Sequence, residues 1–193
     1  MLFRFLTTIV VCIMAHCAMA STVLVEKHFP SELTLGQQNL TLSGIGVHQF
    51  LLMRIYRAGI YLKARADTAD AILTSPSPIR ARLVMMHSVS AAHFVLVLRD
   101  GLVANTTQEE VDSRYREIVR FFEMMEKLDH LDEGDLVDLD FVDGQTSIRM
   151  NGKTIASHLG DRVFYNLILR IWFGEDPISR KLKRSLLKPI GKK

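Results

Sequence analysis

Arg54 and Tyr56 stand two residues apart in a stretch of aromatic and branched residues, 51–62. Two-residue periodicity sorts them onto one face of a strand with Leu52, Ala58, Ile60 and Leu62. An unpaired guanidinium is costly to bury, so Arg54 must reach solvent, an acidic partner or a ligand anion. A guanidinium donating to a carboxylate, with a tyrosine hydroxyl beside it under apolar walls, is the specification of a site for a small apolar acid. The same pattern also fits an arginine at a sheet rim and a tyrosine that fills the core.

Other chemistry is poorly supported. No G-x-S-x-G elbow, H-E-x-x-H helix or Walker loop occurs. Gly44 and Gly46 resemble the start of a dinucleotide loop, but a third glycine is missing and a strand follows, which predicts a tight turn instead. Asp138, Asp140 and Asp143 precede Gly144 as in a calcium loop, yet Leu139 and Phe141 alternate with them, predicting a solvated strand edge. His28, His48, His87, His93, His130 and His158 have no ligand spacing, so neither a metal nor a cofactor is expected.

The residues around Arg54 and Tyr56 divide into elements by period. The stretch 51–62 is apolar on both faces and reads as a central strand. A short helix over 67–73 stops at Pro76 and Pro78, and a strand over 79–89 follows. Ser90 opens a helix to about Ala104, and Thr107 with Glu110 has capping-box spacing for a second, to about Leu128. Asp143-Gly144 and Asn151-Gly152 set a three-stranded meander over 135–158. Asp161 caps a helix through Phe173, and a basic helix over 177–187 closes the chain. This is an α+β antiparallel layout, without repeated βαβ units.

Composition agrees with one globular domain: 193 residues, 48% hydrophobic, 23% charged, net charge +3. Both cysteines, Cys12 and Cys17, lie in a leader-like segment: Arg4, an apolar run, then Ala18-Met19-Ala20. That order predicts a signal peptide over 1–20 and a periplasmic or secreted domain over 21–193 that contains no cysteine. The small net charge gives no reason to expect nucleic acid as a partner. Arg180, Lys181, Lys183, Arg184 and Lys188 form a basic tail able to touch anionic membrane peripherally, or simply a solvated helix end.

The chain resembles the chalcone isomerase-like family in its bacterial exported branch. The features that carry the resemblance are Gly44, Gly46 and His48 ahead of the strand from Arg54 to Leu62, the helix junction from Asp100 to Asn105, the turn at Asn151-Gly152-Lys153, and Trp172, Gly174, Asp176 and Pro177 leading to Leu182 and Leu186. The resemblance implies an open-faced β-sandwich, a large antiparallel sheet with helices on one face and a ligand cleft between them. The family's plant enzymes cyclise chalcones, and related plastid proteins bind fatty acids through an arginine and a tyrosine. By motif position Tyr56 is the tyrosine of the fatty-acid binders, Asn105 matches the helix asparagine, and His48 stands where most relatives place the arginine. Leu98 and Ile171 fall where the enzymes carry tyrosine and threonine, so the hydroxyls that would hold an enolate-like transition state are missing.

The expectation is therefore a monomeric, exported, non-catalytic binder of a small apolar carboxylate, with Tyr56, Arg54, His48 and Asn105 at the ligand and no catalytic residues. Histidine holds an anion only when protonated, which would make binding at His48 pH-sensitive. The rival readings are an envelope interaction protein without a ligand and an isomerase-type enzyme.

Overall fold

The computed structural model describes residues 28–188 and 190; the leader-like segment 1–20 lies outside them. In chain order the elements are β1 (Glu32–Leu35), β2 (Gln38–Phe50), β3 (Met53–Leu62), α1 (Ala69–Leu73), β4 (Ile79–Met85), β5 (Val89–Ser90), α2 (Ala91–Val103), α3 (Gln108–Ser113), α4 (Tyr115–Glu126), β6 (His130–Leu131), β7 (Leu136–Val142), β8 (Gln145–Met150), β9 (Lys153–Ala156), α5 (Arg162–Phe173) and α6 (Arg180–Leu187). Seven strands form one antiparallel sheet, ordered β1-β2-β3-β4-β7-β8-β9, and β5 pairs with β6 apart from it. The helices pack on one side of the large sheet, which is the α+β open-faced sandwich that the resemblance implies.

Local chemistry explains much of this layout. Asp143 and Gly144 take φ of 50° and 78°, and Asn151 and Gly152 take 51° and 81°. Two successive positive angles give the turn whose twist matches paired strands, so the meander forms where the sequence places it. Ser90, Asp161 and Ser179 each accept a backbone N–H of the first turn of α2, α5 and α6. Thr107 and Glu110 complete the predicted capping box at α3.

Several boundaries differ from expectation. The helix over 107–128 breaks at Arg114, whose φ of −130° interrupts the turn between α3 and α4. The strand over 79–89 ends at Met85 and resumes as the short β5. The last helix starts at Arg180, with Ser179 as its cap. Leu51 and Leu52 are not strand but the two-residue turn joining β2 to β3.

Two corrections concern packing. Gly44 and Gly46 do not form a turn; they lie within β2, where α6 crosses the sheet. A Cβ built on Gly44 would sit 1.6 Å from the carbonyl oxygen of Leu186, and one on Gly46 2.7 Å from Cβ of Ser185. The glycines let the helix backbone approach, and Leu182 and Leu186, one turn apart, are buried beside them.

Asp138 and Asp140 are not a solvated edge either. β7 is an interior strand between β4 and β8, and both carboxylates are buried. Arg80 donates to both oxygens of Asp140 at 2.6 Å, and Arg82 to both oxygens of Asp138 at 2.7 and 2.8 Å. On the helical side, Phe94, Leu98, Phe121, Phe122, Met125 and Trp172 pack with Leu83, Leu139 and Ile148 of the sheet. Each such side chain contributes roughly 1.5–3 kcal/mol when fully buried, so this layer fixes the helices that wall the site.

Candidate functional site

Tyr56 is set by the sheet register. It pairs with His48 on β2 and Met85 on β4, and its ring is buried. His48 stacks on it, ring centroids 4.9 Å apart at 24°, and Phe94 of α2 meets it edge-on at 6.0 Å. Its hydroxyl accepts the indole N–H of Trp172 on α5 at 2.9 Å. Burial pushes the Tyr56 pKa well above that of a free phenol, against the opposing effect of the Trp172 bond, so the hydroxyl stays protonated.

This stack lines a cavity of about 630 Å³ between the β2–β3 hairpin and α2. The volume lies within the usual range for small-molecule sites, about 300–1,000 Å³. The inner wall is apolar, built by Tyr56, Ile55, Phe94, Val97 and Leu98. Exposed residues ring it: Phe50 and Met53 from the hairpin, His87 before β5, His93 and Asp100 from α2, and Asp176 from the loop after α5. Among the described residues no lysine or arginine lines it. Among the described residues no group of three or more His, Cys, Asp or Glu is arranged to hold a metal ion.

His48 is 8% exposed. Its Nδ1 is enclosed with no hydrogen-bond partner, whereas Nε2 is not enclosed in this way. Burial lowers its pKa below the ordinary 6.5, and protonation would put an N–H at Nδ1 where no acceptor waits. The imidazole is thus neutral near pH 7, a hydrogen-bonding group in the wall and not a fixed positive charge.

Arg54 does not join these residues. His48 pairs with Tyr56 but Gln49 pairs with Arg54, so Ile55 is an extra residue in β3. Such a bulge resets the alternation: Ile55 joins Tyr56 at the cavity, while Arg54 is exposed and outside the lining. Arg57 is half-buried, and burial together with the charge of Arg54 holds its pKa below the usual guanidinium value. Strict two-residue periodicity could not anticipate the bulge, because pairing with β2 creates it.

Asn105 lies behind the wall. Its amide nitrogen donates to the carbonyls of Gly101 at 2.8 Å and Asp176 at 2.7 Å, and its oxygen accepts the Asp176 N–H at 3.0 Å. Both amide protons are used, so Asn105 clamps the end of α2 to the loop that brings Asp176, Pro177 and Ile178 to the cavity. Gly101 lets that loop close in, since a Cβ there would lie 2.4 Å from Cγ2 of Ile178. Leu98 lines the cavity and Ile171 is buried beneath Gly101. Trp172 carried no site signal in the sequence beyond being the single tryptophan.

A family model described as chalcone isomerase-like matches residues 21–188. No curated protein sequence matches the chain. Thirty-seven chains of solved structures do, among them a fatty-acid-binding protein from Arabidopsis thaliana. It is 15% identical, with a TM-score of 0.62, over 82% of this chain and 90% of that one. At that identity the likeness speaks for the fold.

Proposed function

Because the chain belongs to the chalcone isomerase-like family, we propose that it is a non-catalytic binder of a small apolar acid of the fatty-acid class. The ligand lies in the cavity between the β2–β3 hairpin and α2. The observation that carries this reading is the cavity itself: an apolar inner wall against Tyr56, with polar groups confined to His48 and the rim. The fatty-acid-binding relative of the same fold lends support. The ligand's chain packs along Ile55, Phe94, Val97 and Leu98, and its head meets His48 or solvent at the rim. With no guanidinium among the described lining residues, the head group is held by hydrogen bonds and not by a permanent charge, so the protonated acid binds better than its anion.

Turnover is disfavoured by where the donors are. Leu98 supplies no hydroxyl and both amide protons of Asn105 are spent, which leaves the Tyr56 O–H, held by the Trp172 N–H on its oxygen, as a lone donor in the inner wall. A developing oxyanion in the cavity would lack the converging donors that lower its energy. The leader-like pattern over 1–20 supports export to the periplasm or beyond.

Native mass spectrometry of protein purified from cells, combined with fatty-acid titration read by Trp172 fluorescence, tests the reading. A co-purified lipid, or saturable binding weakened by Leu98→Asp, is expected. A clean apo mass with no titration signal at either pH 5.5 or pH 7.5 overturns it.

A further inference from the structure

The turn between β2 and β3 exposes four consecutive large apolar residues. Phe50 is 58% exposed, Leu51 79%, Leu52 93% and Met53 46%. Two-residue hairpin turns normally carry Asn, Asp or Gly, because those residues tolerate positive φ in water. Here Leu51 takes φ of 52°, a conformation costly for a large side chain. The chain thus accepts both backbone strain and exposed hydrocarbon at one point.

That point is not an isolated patch. Phe50 and Met53 also line the cavity, so the apolar tip runs without a break into the apolar interior. Directly behind the tip on β3, Arg54 and Arg57 have no hydrogen-bond or ion-pair partner among the described residues, and burial together with the charge of Arg54 lowers the Arg57 pKa. The acidic residues of the cavity, Asp100 and Asp176, come from α2 and from the loop after α5, not from the hairpin strands.

We propose that the β2–β3 tip, Phe50 to Met53, is a membrane-docking wedge that enters an anionic phospholipid bilayer with Arg54 and Arg57 seated at the headgroups, and so sets the cavity mouth against the lipid. Four apolar side chains at a turn supply the insertion, and two unpaired cations behind them supply the complementary charge. The second element makes a bilayer a better occupant than a second copy, because a twofold contact would bring these arginines towards their own equivalents. The inference concerns how the protein meets a surface, and it holds whatever the cavity carries.

The test is sedimentation of the purified protein with vesicles of phosphatidylcholine, with and without phosphatidylglycerol. Binding to the anionic vesicles is expected. Leu51→Asp with Leu52→Asp should weaken it by at least about tenfold. Arg54→Gln and Arg57→Gln should each weaken it about fivefold at low salt. All these side chains are at least partly solvent-exposed, so thermal melts should report a retained fold. In Leu52→Trp, brominated lipid should quench the new tryptophan while buried Trp172 stays bright. The 1–20 segment is common to every variant, so differences between them read the tip. Vesicle binding indifferent to these substitutions overturns the proposal, as does no vesicle binding at all. A dimer that the leucine substitutions dissolve, without vesicle binding, overturns it in favour of self-association. Failure of the fatty-acid titration leaves these outcomes unchanged.

Discussion

The indole N–H of Trp172 reaches the hydroxyl of Tyr56 at 2.9 Å, joining α5 to β3 inside the core. Both groups are buried, so each depends on the other to satisfy it. Tyr56→Phe leaves the indole proton unpaired and should cost about 1–3 kcal/mol in urea denaturation followed by circular dichroism. Pairing it with Trp172→Phe should cost less than the sum of the single changes, by about 1 kcal/mol. Strict additivity would mean that the bond contributes nothing.

His48 gives the fold a pH dependence of known sign. In the unfolded chain it titrates near 6.5, and in the folded protein burial lowers that value. Above pH 6.5 both states hold it neutral and stability is unaffected. As pH falls below 6.5 the unfolded chain takes up a proton that the folded one resists, so stability drops until the folded pKa is passed. Urea midpoints at pH 7.5 and 5.5 should diverge more in the wild type than in His48→Gln. Equal divergence would show that His48 carries no such linkage.

Gly44→Ala tests the contact between α6 and the sheet. The added methyl meets the Leu186 carbonyl, a backbone atom that moves only if the helix does. The expected loss is about 3 kcal/mol, with faster tryptic cleavage at Lys183 and Arg184 as the helix lifts. Unchanged stability and cleavage would mean that α6 accommodates the methyl elsewhere.

The parts of the fold that could be read from sequence are those decided within a few residues. The Asp143-Gly144 and Asn151-Gly152 turns and the caps at Ser90, Thr107 and Asp161 are local chemistry, and each forms where it was expected. What the sequence concealed depends on partners far along the chain. Asp140 looks solvated until Arg80, 60 residues earlier, lies beside it. Gly44 looks like a turn until Leu186 presses on it. In the site, Tyr56 and His48 come together because β2 and β3 pair in sequence, whereas Arg54 leaves through a bulge that only the pairing creates. The exposed leucines of the tip were hidden by the opposite error, since an apolar run reads as strand whether or not anything covers it.

The buried charges between β4 and β7 bear on how the molecule closes. β1 to β4 form one run of neighbouring strands and β7 to β9 another, and the helices α2, α3 and α4 are strung between them. The seam where the runs meet therefore joins strands that no short turn aligns. Arg80 opposite Asp140 and Arg82 opposite Asp138 key that seam. Sliding one strand by a single residue would face each arginine with an apolar neighbour, Leu139 or Phe141 for Arg80, and strand four charges in a dry interior. The ion pairs act as a lock that admits one alignment, so the two halves of the sheet either meet in register or do not meet stably at all.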